Sequence, residues 1–216
     1  SQPQMITTHI EPITMTFEQE LNIYLRARFT LIVIVTTEEE RALEGIKSVC
    51  SNSHRICWCW DAADHFKPLT DGGAAPPAAK DPLSALEQID KADGELVAVL
   101  KDFHDCWGNA QIKRKLRNLA HRLKYTKKTI IITTPIAKLP EELKDETVCA
   151  EFPMPQIAEL EEVLKKLTST PGVKINLTTL GREKLVQAAV GLTTSQAQRV
   201  FAKAIVKDGV LDDRDI

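Results

Sequence analysis

Two positions in the sequence carry charged side chains where a predicted strand ends, and the first bears on phosphate binding. The apolar run Leu31–Val35 predicts a buried strand that leads directly into Thr36-Thr37-Glu38-Glu39-Glu40. A phosphate-binding loop needs glycines, whose backbone N–H groups wrap the phosphate, and a lysine that reaches its outer oxygens. This segment has neither, and it places three carboxylates where a phosphate would bring its own negative charge. The pattern predicts a nucleotide-binding type of fold without its nucleotide chemistry.

The same segment predicts the start of a helix. Thr36 or Thr37 can cap a helix, and the glutamate three residues later completes a capping box. The N-terminal end of a helix attracts anions. Here glutamate side chains, which carry the same sign of charge as a phosphate, already occupy this end.

The second charged position follows the apolar run Leu96–Leu100, which predicts another strand. Lys101, Asp102, His104 and Asp105 come directly after it. Ligands of open α/β sheets bind at the carboxyl ends of the strands. Asp102, His104 and Asp105 are therefore the cluster at which residual chemistry could sit, and a plain polar loop is the alternative interpretation.

The cysteines suggest a metal site at first sight. Cysteine alternates with tryptophan over Ile56–Trp60, so the cysteines face one side of a strand and the tryptophans the other. Cys50 and His54 lie nearby, but the paired Cys-x₂-Cys motifs of structural zinc sites are absent. Five cysteines at irregular spacing argue against a disulfide framework and for a reducing compartment. We interpret the cysteines as core residues and predict no metal site.

Apolar runs alternate with helical spacings along the chain, and together they predict the elements that position these residues. Strands are expected near 31–35, 56–60, 96–100, 129–133 and 147–150. The prolines and glycines between Asp64 and Lys80 predict a mobile loop or insertion. Helices alone are expected near 156–168, 178–190 and 193–207. The fold class is therefore α/β: a three-layer α/β/α core with a five-stranded parallel sheet, followed by a small all-helical lid.

This pattern also predicts the domain organisation. Residues 1–15 form a loosely attached N-terminal segment, 16–153 the α/β core, and 154–216 the lid. A net charge of −2 gives no general attraction to nucleic acid or to a membrane surface. No apolar run approaches the roughly 20 residues that a membrane span needs, and no signal peptide is visible.

Several segments carry a family resemblance; they are Tyr24–Thr36, Glu38–Arg41, Leu100–His104, Leu139–Leu143 and Gly191–Ala204. In this order they resemble the AAA ATPase fold. More narrowly, they resemble the N-terminal half of the two-module AAA ATPases that cyanobacteria and algal plastid genomes encode as a conserved reading frame. The resemblance covers about residues 16–216. In that family a second module with an intact phosphate loop follows, so the resemblance implies that ATP and Mg²⁺ belong to that module.

The resemblance also assigns positions to the catalytic motifs. A Walker B strand ends in two acids, one for Mg²⁺ and one that activates water. Here the matching positions are Lys101 and Asp102, so a lysine stands where the metal ligand would be. The sensor at the end of the fourth strand falls at Thr133 or Thr134.

Two arginines of the family pattern are missing. The stretch Leu143–Thr147, where the arginine finger is expected, contains none, and Ser195 stands about where the second sensor would be. The phosphate loop, the metal ligand, the arginine finger and the second sensor of the family pattern are thus all missing. The resemblance thus implies a pseudo-ATPase module with no catalytic residue, no cofactor and no metal of its own, although the full-length relative would be an ATPase.

The implied function is assembly or protein interaction beside an attached or neighbouring active AAA module, in the cytosol or the plastid stroma. One alternative is a domain that still binds nucleotide at an atypical phosphate site, with Lys80 or Lys101 supplying the charge. Another is an adaptor that binds an acidic protein partner through a basic helix at 109–128. The basic residues of that surface are Lys113, Arg114, Lys115, Arg117, Arg122 and Lys124.

The plainer interpretation of this basic helix is a solvated outer face. Its apolar residues recur at helical spacing and predict a core-facing side. The helix carries no interleaved aromatic residues for base stacking, which argues against nucleic acid as the partner.

Overall fold

The computed structural model describes residues 15–208 and 210–212. Apart from Met15, the predicted N-terminal segment 1–15 lies outside this range. The core elements are α1 (Phe17–Arg26), β1 (Leu31–Val35), α2 (Glu39–Asn52), β2 (Cys57–Asp61), β3 (His65–Pro68), α3 (Pro82–Lys91), β4 (Leu96–Lys101), α4 (Ala110–Leu123), β5 (Lys128–Thr134) and β6 (Val148–Ala150). Short 3₁₀ helices cover Phe103–Cys106 and Glu141–Glu146. The elements that follow are α5 (Ile157–Thr168), β7 (Lys174–Asn176), α6 (Thr179–Ala188), α7 (Thr194–Asp208) and β8 (Val210–Asp212).

The central sheet has the strand order β3-β2-β4-β5-β1-β6. All pairs are parallel except β2 with β3. The five predicted strands are present and parallel. Because β1, β4 and β5 lie in the middle and are covered on both faces, each is an unbroken apolar or buried run.

The sixth strand was not predicted, and the five-stranded sheet is corrected to six. The expected loop from Asp64 to Lys80 contains β3, which turns back and pairs antiparallel with β2. The Asp61 carboxylate accepts hydrogen bonds from the backbone of Ala63 and Asp64, at 2.9 and 2.7 Å, and so holds the turn. An edge strand buries little side chain, so the sequence of β3 lacks an apolar signature, and its last residue is a proline, as edges allow.

The sheet separates two cores, which confirms the three-layer arrangement. Leu31 and Val33 face α3 and α4, whereas Ile32 and Ile34 face α1 and α2. In β2 the tryptophans join the first core and the cysteines join the second, as their alternation predicts. Cys50 is buried in the second core as well.

A third cluster of buried side chains lies among α5, α6 and α7. This part of the chain was predicted to be all helical. The structure corrects this, because β7 and β8 form a separate two-stranded parallel sheet. Each of these strands has only three residues, which is too short for a period-two pattern to stand out.

The basic helix is also shorter than predicted. It begins after Asn109, whose side chain accepts hydrogen bonds from two backbone N–H groups, and it ends at Leu123 rather than at residue 128. The Thr126 hydroxyl donates to the Leu123 carbonyl (2.8 Å) and accepts from the Lys128 N–H (3.1 Å), so it closes a turn that the charge pattern does not reveal. Within the described residues, no helix combines the length and apolar character that crossing a bilayer requires.

Candidate functional site

The loop after β1 lies at the carboxyl edge of the sheet, where ligands of such folds bind. The Thr36 hydroxyl accepts a 2.9 Å hydrogen bond from the Glu38 N–H, and α2 begins at Glu39. Glu38 is the N-cap residue, but its side chain makes no capping hydrogen bond. The capping box predicted at Thr36 or Thr37 is therefore wrong, because the N-cap is Glu38 and the Thr36 hydroxyl binds the Glu38 N–H instead.

The Glu38 carboxylate connects the core to α7. The Glu38 residue is 8% exposed. One of its oxygens accepts hydrogen bonds from the N–H and the hydroxyl of Thr194, at 2.7 and 3.1 Å. Thr194 is the first residue of α7, so a carboxylate of the core sits at the positive end of that helix. The other oxygen accepts from Arg41, at 2.6 and 3.1 Å.

Arg41 extends this contact to α5. Its guanidinium donates to the Glu159 carboxylate (3.1 Å) and to the Pro153 carbonyl, and it lies over the Phe152 ring at 4.2 Å. The second Glu159 oxygen accepts from the Gln156 N–H (2.8 Å), within the capping box of α5. We call Glu38, Arg41, Glu159 and Thr194 the core–lid network.

Lys101, predicted from the sequence to stand at the metal-ligand position of the Walker B pattern, is held between two acids. Its ammonium lies 3.1 Å from the Asp61 carboxylate and 3.3 Å from that of Glu39. Partial burial raises the pKa of Asp61, but hydrogen bonds from the Asp64 and Ala63 backbone and from Lys101 outweigh this and lower it. Burial lowers the pKa of Lys101, yet its acidic neighbours, Asp61 foremost, raise it overall.

The space beside Lys101 is strongly acidic. A cavity of about 420 Å³ lies there. Its lining includes one ammonium, that of Lys101, and five carboxylates, those of Glu39, Asp61, Asp64, Asp102 and Asp105. Lys80, the other lysine considered for phosphate binding, is exposed and does not line this cavity. Such a set of charges repels a polyphosphate.

Asp102 and the two threonines of β5 have backbone and turn roles. Asp102 is exposed and has a left-handed backbone (φ 54°), and its N–H donates to the Thr133 carbonyl at 2.9 Å. The buried Thr133 hydroxyl has no hydrogen-bond partner in the described part of the chain. The Thr134 hydroxyl donates to the Ile136 carbonyl (3.0 Å), which closes the turn after β5.

The suggested cluster Asp102–His104–Asp105 is brought together only in part. His104 Nδ1 lies 3.0 Å from the Thr134 hydroxyl, and Nε2 lies 3.4 Å from the Asp105 carboxylate. The Thr134 hydroxyl donates to the Ile136 carbonyl, so its contact with His104 joins the 3₁₀ helix after β4 to the turn after β5.

The basic surface of α4 is largely neutralised within the protein. Four of its six predicted residues pair with acids: Lys115 and Arg122 with Asp90, Lys113 with Glu142, and Lys124 with Glu146, at 2.5–3.3 Å. Arg114 is exposed and makes no ion pair within the described residues. The Arg117 Nε is buried without a hydrogen-bond partner in the same range. The acids come from elements that sequence periodicity does not place opposite α4.

The described residues contain no group of three or more histidine, cysteine or acidic side chains arranged to hold a metal ion. Sequence reasoning missed the core–lid network. Its local signal was the spacing of Glu38 and Arg41, which are three residues apart on a helix start and therefore able to pair.

The fold, a parallel α/β core followed by helices, is that of an AAA-type domain. Solved structures that match it include Caenorhabditis elegans PCH-2 and the FIGL-1 AAA domain in complex with ADP, each with a TM-score of 0.59 and 10% identity. The matches cover 92% of this chain and 66% and 67% of those chains. A mutant of Thermotoga maritima RuvB matches equally well (TM-score 0.59, 13% identity, 92% and 66% coverage). At these identities the likeness concerns the fold alone.

The chain belongs to the SpoVK-like AAA ATPase family. The model of the family's N-terminal domain matches residues 17–152, and that of its second domain matches residues 158–216. The AAA domain-containing protein ycf46 of Guillardia theta is 35% identical over 198 residues, covering 89% of this chain and 38% of the relative. The ycf46 protein of Trieres chinensis is 33% identical over 207 residues, covering 94% and 40%. The chain thus spans about two fifths of these relatives, and the family resemblance predicted from its motifs is confirmed.

Proposed function

We propose that this chain is a non-catalytic AAA-like module, a pseudo-ATPase that serves assembly or protein interaction for an attached active AAA module. The observation that carries this proposal is the position of the Glu38 carboxylate. It lies in the loop where the fold would hold a phosphate, and it already occupies the N-terminal end of α7. The chain thus supplies its own anion to a helix end that would otherwise attract one.

The charges around the loop support the same proposal. Lys101 is the one ammonium in the adjoining cavity, and it is committed to Asp61 and Glu39. A nucleotide with Mg²⁺ needs carboxylates for the metal and cations for the phosphates. Here the cation stands at the metal position and carboxylates surround it, so these residues do not fit the group.

Arg199 of α7 does not take the place of the missing second-sensor arginine. The Ser195 carbonyl accepts a hydrogen bond from the exposed Arg199 Nε at 3.3 Å, one turn further along α7. Arg199 does not line the cavity of about 620 Å³ between α2, α5 and α7. It is therefore not placed as a second sensor in this arrangement.

The two alternative functions have less support. A nucleotide site at Lys101 would first have to break its ion pairs, and Lys80 lies away from the acidic cavity. An adaptor surface on α4 would have mainly Arg114 and Arg117 to offer, because the other four cations are paired. Because the relatives are longer, we propose that ATP and Mg²⁺ act in an attached module. We place the whole protein in the cytosol or the plastid stroma.

Isothermal titration of the chain with ATP and with ADP, each with Mg²⁺, tests the proposal. We expect no saturable binding at the phosphate-loop edge up to millimolar nucleotide, so any heat should be unchanged in Lys101→Ala and in Lys80→Ala. Saturation at micromolar nucleotide that either substitution abolishes would overturn the proposal. In that case, loss of binding in Lys101→Ala would locate the nucleotide at the acidic cavity, whereas loss in Lys80→Ala would locate it at the other lysine.

A further inference from the structure

A second cavity lies at the opposite edge of the sheet, where the parallel strands begin. Its volume is about 360 Å³. Arg26 and Arg28 reach it from the end of α1, Arg55 from the segment before β2, and Lys127 from the turn before β5. We call it the basic cavity and define it by these four residues. None of them belongs to the basic surface predicted on α4.

The charges of the basic cavity are not balanced. Glu95 is the one carboxylate in its lining, and it pairs with Arg55 at 2.8 Å. Lys128 also lines the cavity, but its ammonium donates to the Ile89 and Asp90 carbonyls, at 3.0 and 2.9 Å. Arg26, Arg28 and Lys127 are exposed and make no ion pair with any residue that the structure describes. The carboxyl ends of α1 and α2 lie at this edge, but a helix end carries only a partial negative charge. Three unpaired cations therefore leave the cavity positive in a protein whose net charge is −2.

Arg28 has a left-handed backbone conformation, which is strained for any residue that has a side chain. Its φ is 60°, in the left-handed region. Its N–H donates to the Leu25 carbonyl (3.2 Å) and that of Phe29 to the Tyr24 carbonyl (3.0 Å), the pattern of a helix end that normally uses glycine. A non-glycine residue is disfavoured there, because its Cβ crowds the following carbonyl oxygen. The two backbone hydrogen bonds and the contact of the Tyr24 and Phe29 rings hold this helix end, but the Arg28 guanidinium makes no hydrogen bond or ion pair within the described residues.

We propose that the basic cavity binds a small phosphate-type oxyanion. Guanidinium groups match the oxygens of a phosphate in pairs, and a lysine adds a mobile point charge. The volume is at the lower end for ligand sites, which suits one or two phosphoryl groups. The apolar part of the lining is limited to Leu25 and Val97, without an aromatic side chain on which a base could stack. The ligand is therefore an inorganic phosphate or diphosphate, or the phosphoryl group of a small metabolite.

The probe for the test is inorganic diphosphate without Mg²⁺, titrated calorimetrically into the full chain at low ionic strength. We expect saturable binding that Arg28→Gly weakens by about tenfold, since a charge-assisted hydrogen bond is lost. The same variant should unfold at an equal or higher temperature, because glycine relieves the left-handed strain. Lys127→Ala should weaken binding without that gain in stability.

Two further variants separate this site from other cationic surfaces. Arg114→Ala removes an exposed, unpaired cation from α4 and should leave binding unchanged. Lys101→Ala alters the opposite edge and should also leave it unchanged. The proposal is overturned by absence of saturation up to millimolar diphosphate, by an equal loss in Arg114→Ala and Arg28→Gly, or by loss of binding in Lys101→Ala.

The source of the anion is distinguished by a parallel titration with a sugar phosphate. Tighter binding of diphosphate would indicate a free inorganic ligand, and tighter binding of the ester would indicate a phosphorylated metabolite. Either order supports the site. Because nucleotide binding is proposed to be absent at the other edge, failure at the basic cavity leaves the pseudo-ATPase proposal untouched.

Discussion

The carboxylate of Glu38 accepts hydrogen bonds from both the backbone N–H and the hydroxyl of Thr194, at 2.7 and 3.1 Å. The two residues are 156 positions apart in the chain. One belongs to the loop after the first strand and the other begins the last helix. The contact ties α7 to the sheet through an anion that the protein itself provides. It is the structural basis for proposing that the module needs no nucleotide to hold its helices against the core.

Glu38→Ala should lower the free energy of unfolding by about 1–3 kcal/mol, because Thr194 loses its acceptor and Arg41 keeps only its contacts to Glu159, Pro153 and Phe152. Glu38→Gln should cost less, since an amide oxygen can still accept from Thr194. Urea unfolding followed by tryptophan fluorescence measures both. Glu40→Gln, at an exposed position without an ion pair in the described range, is the matched control and should change little. An equal effect of Glu38→Ala and Glu40→Gln would contradict the role of the network.

Lys101→Met should lower the free energy of unfolding at neutral pH by about 1–2 kcal/mol, because Asp61 and Glu39 lose their cation. The pKa of Asp61 is lowered in the folded state, so its contribution is present above the unfolded pKa, near 4, and lost as pH falls. The pKa of Lys101 is raised, so its contribution is lost only as pH rises beyond about 10.

The difference between wild type and Lys101→Met should therefore be largest near neutral pH and shrink toward acid. Urea unfolding at a series of pH values checks this. Lys47→Met, which removes an exposed lysine without an ion pair in the described residues, serves as control. A difference that stays constant down to strongly acidic pH would show that Lys101 acts through packing alone.

Charge reversal at two neighbouring residues of α4 should have different effects on the free energy of unfolding. Lys115→Glu removes one of the two cations that pair with Asp90, leaving Arg122, and places a carboxylate beside it. It should lower the free energy of unfolding by about 1–2 kcal/mol. Arg114→Glu should change the free energy of unfolding by less than about 0.5 kcal/mol, because the side chain is exposed and unpaired. Thermal and urea unfolding compare the two. Equal destabilisation would show that the Asp90 contacts do not form.

The Tyr24 hydroxyl should lose its proton at a higher pH than an exposed tyrosine does. Its hydroxyl donates a 2.5 Å hydrogen bond to Glu20, and this bond, with burial second, raises its pKa to about 12. The unfolded tyrosine loses its proton near pH 10, so stability should fall as pH rises from about 10 to about 12. Spectrophotometric titration of Tyr125→Phe isolates the Tyr24 transition, since the chain has two tyrosines. Glu20→Gln should move that transition to lower pH, and an unshifted transition would contradict the contact.

The local sequence determined the elements of the core. Unbroken apolar runs specified β1, β4 and β5 because central parallel strands bury both faces, and the alternation of cysteine and tryptophan specified which face each residue of β2 presents. The local sequence also determined that the loop after β1 is not a phosphate-binding loop, because the segment contains neither glycine nor lysine. β3 was not predictable in the same way, because an edge strand buries too little to leave a pattern.

The tertiary structure alone decided the partners of the charged residues. Nothing local to Glu38 indicates that one of its carboxylate oxygens binds Thr194, and nothing local to α4 indicates that Asp90, Glu142 and Glu146 lie opposite its cations. Charged side chains carry no periodic requirement for burial, so their pairing depends on which helices pack together. The convergence of Arg26, Arg28, Arg55 and Lys127 has the same origin, because strands distant in sequence begin at one edge of a sheet.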